Sequence, residues 1–261
     1  MGDIFDAIGF KLPDEDTYQQ LAEEARQRGT PSAISRRNAI IQGYCWPIVE
    51  GVEIWTILFE SKDGVYFSDC RPAFRNARNY EVHSWEIIEF LEDGEAMVSG
   101  RIQNVDLIFE LQNFTELNEL VYNQPTLIAH LSGLCSRVKI LDANATARIS
   151  PLSPAQTSTT SNKFAENDYL LNGQILSWRE LTNPITQVKI LWLDVQVGEL
   201  RIELLVNREQ CRGTLSEGMW ISAEAWLQGY IVCAQEQQSK YEGLDISIPL
   251  AEHWSVLKRE N

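Results

Sequence analysis

The sequence predicts an α+β protein that is mostly β: an N-terminal helix with an antiparallel sheet, then a small antiparallel β-barrel in the last third of the chain. Three observations carry that expectation. One segment, 14–29, has apolar residues at helical spacing. Most of the rest is made of strand-forming runs that alternate in polarity or turn at Asp-Gly pairs. A Ser/Thr/Pro-rich stretch, 150–162, has no apolar period and separates two β-rich parts. The expected organisation is an α+β domain over 1–149, a linker over 150–166 and a barrel domain over 167–261. A shorter β module is expected inside the first domain, at about 83–142.

The helix is placed by Tyr18, Leu21, Ala22 and Ala25 on one face, acidic residues in its first turn and Arg26 and Arg28 in its last. Gly29 ends it. Strands are expected over 39–46, 51–60 and 65–69, the last two joined by Asp63-Gly64. Trp85–Phe90, Ala96–Ile102 and Asp106–Leu111 continue the β pattern, followed by a helical stretch over Thr115–Val121 and separate strands over 126–133 and 137–141. After the linker, strands are expected over 169–178, 187–197, 200–206, 219–232 and 244–250, with a loop or short helix over 209–217 and a short helix at 251–259.

Composition bounds the function. Hydrophobic residues make up 44% of the chain and charged residues 23%, enough for a sizeable core. There are 22 basic and 37 acidic residues, for a net charge of −15. Both parts of the chain share the excess, with 13 basic and 23 acidic residues up to position 150 and 9 and 14 beyond it. Nucleic-acid binding draws on several phosphate-neutralising Lys and Arg side chains, so this charge argues against it, and equally against an anionic membrane surface. No apolar run approaches the length of a membrane span, and no signal-peptide pattern opens the chain. Five cysteines, an odd number with no Cys-x-x-Cys pair, fit neither a zinc site nor a secreted disulfide framework. A cytoplasmic protein is the expectation.

No catalytic motif stands out. The three histidines, His83, His130 and His253, have no metal-ligand spacing, so no metal is expected. No serine sits in a nucleophile elbow, and no Gly-rich loop promises a nucleotide, so no cofactor is expected either. Cys45, Cys135 and Cys233 lie among apolar neighbours, as small core residues do.

Two features qualify as candidate binding residues. Arg71, Arg75 and Arg78 fall close together with Phe74 and Tyr80 beside them, and Arg36 and Arg37 lie upstream. Guanidinium forks suit carboxylate or phosphate ligands. The competing reading is that these arginines pair with the chain's abundant acids. Trp220 and Trp226 share one side of a strand, either as an exposed interaction surface or as barrel filling.

The two β-rich parts also resemble each other. Leu107-Ile-Phe-Glu-Leu111 parallels Leu200-Arg-Ile-Glu-Leu204, and Leu127–Leu134 parallels Ala223–Tyr230 with Gly133 matching Gly229. Val98–Ile102 is similarly set against Leu171–Ile175. Duplication and chance alternation both explain such matches. Three strands, an irregular connection and two more strands is an order similar to that of the OB-fold. The expected role is a non-catalytic module that binds a protein partner or a second copy of itself. The alternatives are an enzyme or binder acting on a small anionic ligand through the arginines, and single-strand nucleic-acid binding, which the charge disfavours.

Overall fold

A computed structural model describes residues 2–36, 39–141, 150–154, 167–235, 238–239 and 250. The fold is mostly β, with few helices and with antiparallel and mixed sheets.

Helix α1 spans Gly2–Asp6 and was not anticipated; α2 spans Glu15–Arg28 as expected. The Asp14 side chain caps α2 by accepting from the Thr17 amide, and the Gly29 amide donates to the Ala25 carbonyl. Four antiparallel strands follow in sequential order: β1 (Thr30–Arg36), β2 (Ala39–Val49), β3 (Val52–Ser61) and β4 (Gly64–Phe74). Every residue of Val52–Leu58 is buried, so both faces of β3 are covered. One face carries Trp55 and Ile57 into the main core; the other carries Val52, Ile54 and Leu58 into a second core under α1 and α2. Thr56 Oγ1 ties the sheet to α2 by donating to the Ala22 carbonyl at 2.8 Å.

The second sheet has nine strands: β5 (Asn79–Phe90), β6 (Glu95–Ile102), β7 (Val105–Leu111), β8 (Thr126–Leu141), β9 (Leu152–Pro154), β10 (Asp168–Thr182), β11 (Lys189–Val197), β12 (Leu200–Asn207) and β13 (Trp220–Val232). Two short 3-10 turns, Phe114–Glu116 and Glu119–Asn123, stand where one helical stretch was expected. The expected strands 126–133 and 137–141 are one strand, β8. Gly133 does not end it, because β8 pairs on both sides there, with β12 and with β13. The expected elements at 244–249 and 251–259, and most of the expected linker (155–166), lie outside the described residues.

The ladders make two circuits. In one, β5, β6 and β7 form a meander, β7 pairs in parallel with β13, β13 pairs antiparallel with β8, and β8 returns to β5. In the other, β10, β11 and β12 form a meander, β12 pairs in parallel with β8, and β13 returns to β10. Hydrogen bonding therefore crosses from one side of residues 150–166 to the other.

The two parallel joins share a register. Glu203 and Leu204 lie opposite Ser132 and Gly133, while Glu110 and Leu111 lie opposite Gln228 and Gly229. Between β8 and β13, Gly133 faces Leu227 and Leu131 faces Gly229. Exchanging the two glycines exchanges these pairs. A methyl group at Gly229 would lie 2.2 Å from the Phe109 ring, and one at Gly133 2.7 Å from Leu204 Cδ2, so glycine permits the close approach at both joins. The equivalences of β7 with β12 and of β8 with β13 match the sequence alignment. That of Val98–Ile102 with Leu171–Ile175 does not: β6 occupies the position of β11, and β10 that of β5.

Candidate functional site

The arginines expected to converge are sent to different acids. Arg71, on β4, is buried between the sheets. It lies 2.9 Å from Glu110 and 4.0 Å from Glu95, and donates to the Gly94 carbonyl at 3.0 Å. Arg75 lies 3.0 Å from the buried Glu53 carboxylate and 3.8 Å from the centre of the Tyr230 ring. Tyr230 donates to Glu116 and stacks on His130. Arg78 reaches Asp194 on β11 at 3.5 Å. Arg36 donates to both oxygens of Glu89 on β5; Arg37 lies outside the described residues. Pairing with acids, the competing reading of these arginines, describes each one that the structure describes.

Burial, opposed by Arg71, pushes the Glu110 and Glu95 carboxyls up, to about 8 and about 7. It also raises Glu53, against the pull of Arg75. Among the described residues no group of three or more His, Cys, Asp or Glu side chains is placed to hold a metal ion. The five cysteines are free thiols; burial raises all of them above the ordinary thiol range.

Trp220 and Trp226 do lie on one face of β13, both half-buried; Trp226 packs against the second core. Exposed apolar surface is found elsewhere. Among the described residues the exposed large apolar side chains are Ile40, Trp85, Ile88, Phe90, Leu120, Ile128, Trp178, Ile185 and Val232. Five of these nine sit on two hairpins.

Each hairpin arises in the same way. In β5, residues 79–83 pair with β8, and from Ser84 onward the strand pairs with β6 alone. In β10, residues 168–174 pair with β13, and from Ile175 onward the strand pairs with β11 alone. A register shift marks both changeovers, between Ser84 and Glu86 and between Ile175 and Ser177. Past it, each hairpin leaves its circuit. The β5–β6 arm exposes Trp85, Ile88 and Phe90 next to the exposed acids Glu86, Glu92 and Asp93. The β10–β11 arm exposes Trp178 and Ile185.

Residues 152–229, which run from β9 into β13, match the family described as "Domain of unknown function, E. rectale Gene description (DUF3881)". No curated protein and no solved structure matches the chain. The matched segment contains the whole second meander and the β10–β11 arm, but none of β8.

Two of the sequence-expected arginines line clefts: Arg36 borders a space of about 410 Å³ beside Glu119 and Leu120, and Arg78 borders another. With Asn79, Tyr80, Glu81, His83, Ile102, Gln103, Glu199 and Arg201 it lines a space of about 480 Å³ where β5 and the start of β12 diverge beside β8. Behind it, Asp194 is held by Nε and Nη2 of Arg201. The sequence pointed to Arg78 and noted Tyr80 only as its neighbour. Arg201 and Asp194 were missed, since they lie far along the chain from Arg78 and have no motif. Among the described residues no helix is long and apolar enough to cross a membrane.

Proposed function

We propose that this chain is a non-catalytic protein-binding module of the cytosol, built on two interlocked OB-like barrels, whose partner docks on the exposed faces of the two hairpins that leave those barrels. The observation that carries the reading is the concentration of exposed apolar side chains on the β5–β6 and β10–β11 arms. Exposed apolar groups gathered on one element, as Trp85, Ile88 and Phe90 are on β5, mark interaction surfaces, unlike groups scattered singly. In an OB-type barrel the connection between the first two strands is one of the loops used for binding, and both arms are that connection. The barrel reading is supported by the pairing order: a three-stranded meander, a fourth strand returning beside the first, and a fifth between third and fourth, parallel to the third. In each barrel that fifth strand is the other's fourth. The acids beside Trp85, Ile88 and Phe90 select a partner that offers an apolar strip flanked by Lys or Arg.

The test places a photo-crosslinking amino acid at position 85, at position 178 and, as a control, at the exposed β3–β4 turn position 62. One protein captured at both arm positions, absent at 62 and lost on combining Ile88→Ser with Phe90→Ser, is the expected result. Sedimentation tells a second copy of the chain from a different partner. Arms that capture nothing beyond the control position overturn the proposal. Ile88 and Phe90 are 40% and 39% exposed, so the double substitution costs about 1–2 kcal/mol and leaves the fold in place.

A further inference from the structure

Two tyrosines occupy equivalent places in the two circuits but have different surroundings. Tyr80 on β5 faces Ala129 on β8, and Tyr169 on β10 faces Ala225 on β13. Ala129 and Ala225 stand at the same distance before the glycines of the parallel joins, Gly133 and Gly229. The Tyr169 hydroxyl is satisfied, accepting from the Ile108 amide on β7 at 2.9 Å. By the register of the joins, the residue equivalent to Ile108 is Arg201 on β12. There the matching contact is not made. The Tyr80 hydroxyl is buried without a hydrogen-bond partner among the described residues, on a residue only 8% exposed, and the cleft of about 480 Å³ lies between the strands instead.

A buried hydroxyl without a partner costs on the order of 1–3 kcal/mol, and an isolated one in a folded protein calls for a reason. Two residues before Tyr80, the Arg78 Nε–H is also buried and has no hydrogen-bond partner among the described residues. The residues that carry these two unused donors both line the one cleft. The positive charge there comes from two guanidiniums. Arg78 and Arg201 both lean on the single carboxylate of Asp194. Glu203, equivalent to the Arg71-bound Glu110, is engaged by the Trp192 Nε1–H, and burial raises its carboxyl toward the neutral form. The rim has the opposite sign, with the acids Glu81 and Glu199, of which Glu199 accepts from Asn104 and Glu81 lies 3.8 Å from His83.

We propose that this cleft binds a small molecule with an oxyanion head, phosphate or carboxylate, held by Arg78, Tyr80 and Arg201, and an amine directed at Glu81 and Glu199. The volume suits a metabolite of modest size. An oxygen of the head accepts from Tyr80 and from Arg78 Nε, which completes both donors. Charge-assisted bonds of this kind are about twice as strong as neutral ones.

The experiment titrates the full chain, Tyr80→Phe and Arg78→Gln with four probes: inorganic phosphate, acetate, phosphoethanolamine and glycine. Calorimetry reads affinity. The resonance of Tyr80 in ring-labelled protein, assigned by its disappearance in Tyr80→Phe, reads the site. Expected are saturable binding of an amine-bearing probe that moves this resonance, tighter than its bare head, and a loss of about tenfold or more in Tyr80→Phe. Arg78→Gln loses still more. Phosphoethanolamine against glycine decides which head is preferred. Tyr80→Phe removes only an unpaired hydroxyl and keeps the fold, so loss of binding in it cannot be unfolding. Four probes that leave the Tyr80 resonance unmoved into the millimolar range overturn the proposal. So do equal affinities in all three proteins, and so does a bare head that binds as well as its amine-bearing counterpart.

Discussion

The ion cluster between the two sheets makes stability fall as pH rises through neutrality. Arg71 from β4, Glu95 from β6 and Glu110 from β7 meet at 2.9 and 4.0 Å, and Asp69 from β4 accepts from Tyr18 on α2 at 3.1 Å. One guanidinium thus faces three carboxyls, and burial raises all three. In the unfolded chain each glutamate titrates near 4.3. In the fold Glu95 is pushed up to about 7 and Glu110 to about 8. Between those limits the native state binds more protons than the unfolded state, so stability falls as pH rises through the window. Each tenfold difference in proton affinity is worth about 1.4 kcal/mol. The two glutamates share one arginine and titrate as a pair, and a partly hydrated site relaxes. The loss from pH 6 to pH 9 is therefore about 2–3 kcal/mol. His130 works the other way: burial holds it neutral, and its contribution is complete above its ordinary value.

Glu110→Gln tests the sign. It leaves Glu95 to pair with Arg71 and removes the proton that the pair must shed. The variant flattens the slope above pH 7 and at pH 9 is at least as stable as the parent. Combining Glu95→Gln with Glu110→Gln replaces both raised carboxyls by neutral isosteres, so the double variant stays close to the parent at pH 6, loses the slope, and at pH 9 is at least as stable as the parent. Urea denaturation followed by tryptophan fluorescence from pH 6 to 9, with m held constant, gives all three curves. A parent whose stability is level or climbs between pH 7 and 9, or a Glu110→Gln variant that keeps the parent slope, would refute the reasoning.

Three further outcomes are expected. Gly229→Ala costs about 2–3 kcal/mol by overpacking against Phe109, and Gly133→Ala costs less, because the obstructing atom is the end of a leucine; denaturant midpoints rank them. Arg75→Met leaves the buried Glu53 with the Trp55 Nε1–H and the Cys45 thiol but no cation, so it costs about 2–3 kcal/mol at pH 8 and less as pH falls, because burial has already raised this carboxyl. Tyr169→Phe costs about 1–2 kcal/mol by stranding the Ile108 amide, whereas Tyr80→Phe in ligand-free protein is neutral or stabilising; thermal melts of the pair show the asymmetry directly.

Local features were legible in the sequence and long-range ones were not. The α2 boundaries followed from Asp14 and Gly29, whose capping is a matter of neighbouring residues. The hairpin at Asp63-Gly64 was readable because its turn chemistry is contained in the dipeptide. The likeness of β7 to β12 and of β8 to β13 was visible as Leu-x-x-Glu-Leu and a closing glycine, since those positions answer to the same parallel join. The join itself was invisible, because nothing local says which distant strand fills the fifth place in a circuit. β8 read as two strands for the same reason: Gly133 looks like an ending until a partner closes on it from each side. Among the arginines, the cluster is real as sequence, and the structure sends its members to different acids. The acids that disperse it, Glu110, Glu53 and Asp194, come from three different strands. In a chain with 37 acidic residues no spacing rule singles them out.

Strand exchange makes a last prediction about how the chain unfolds. Residues 167–261, taken alone, lose β8, and with it the parallel partner of Glu203–Val206 and the antiparallel partner of most of β13. Leu204, Val206, Ile221, Ala223 and Leu227, all buried in the full chain, lose their cover. Residues 1–149 alone lose β13 in the same way. Burial of apolar surface stabilises by about 25 cal/mol per Å², while a domain's net stability is only about 5–15 kcal/mol, so uncovering one such strand face is enough to unfold either half. The full chain is expected to unfold in a single transition with one m-value. A chain carrying a protease site near position 160, cut after folding, is expected to elute as one species and to separate only in denaturant. Mixing the two halves after separate expression restores the tryptophan spectrum of the full chain if each supplies the strand the other lacks. A cooperative melt of 167–261 by itself would show instead that the second circuit closes without β8 and that the exchange contributes little.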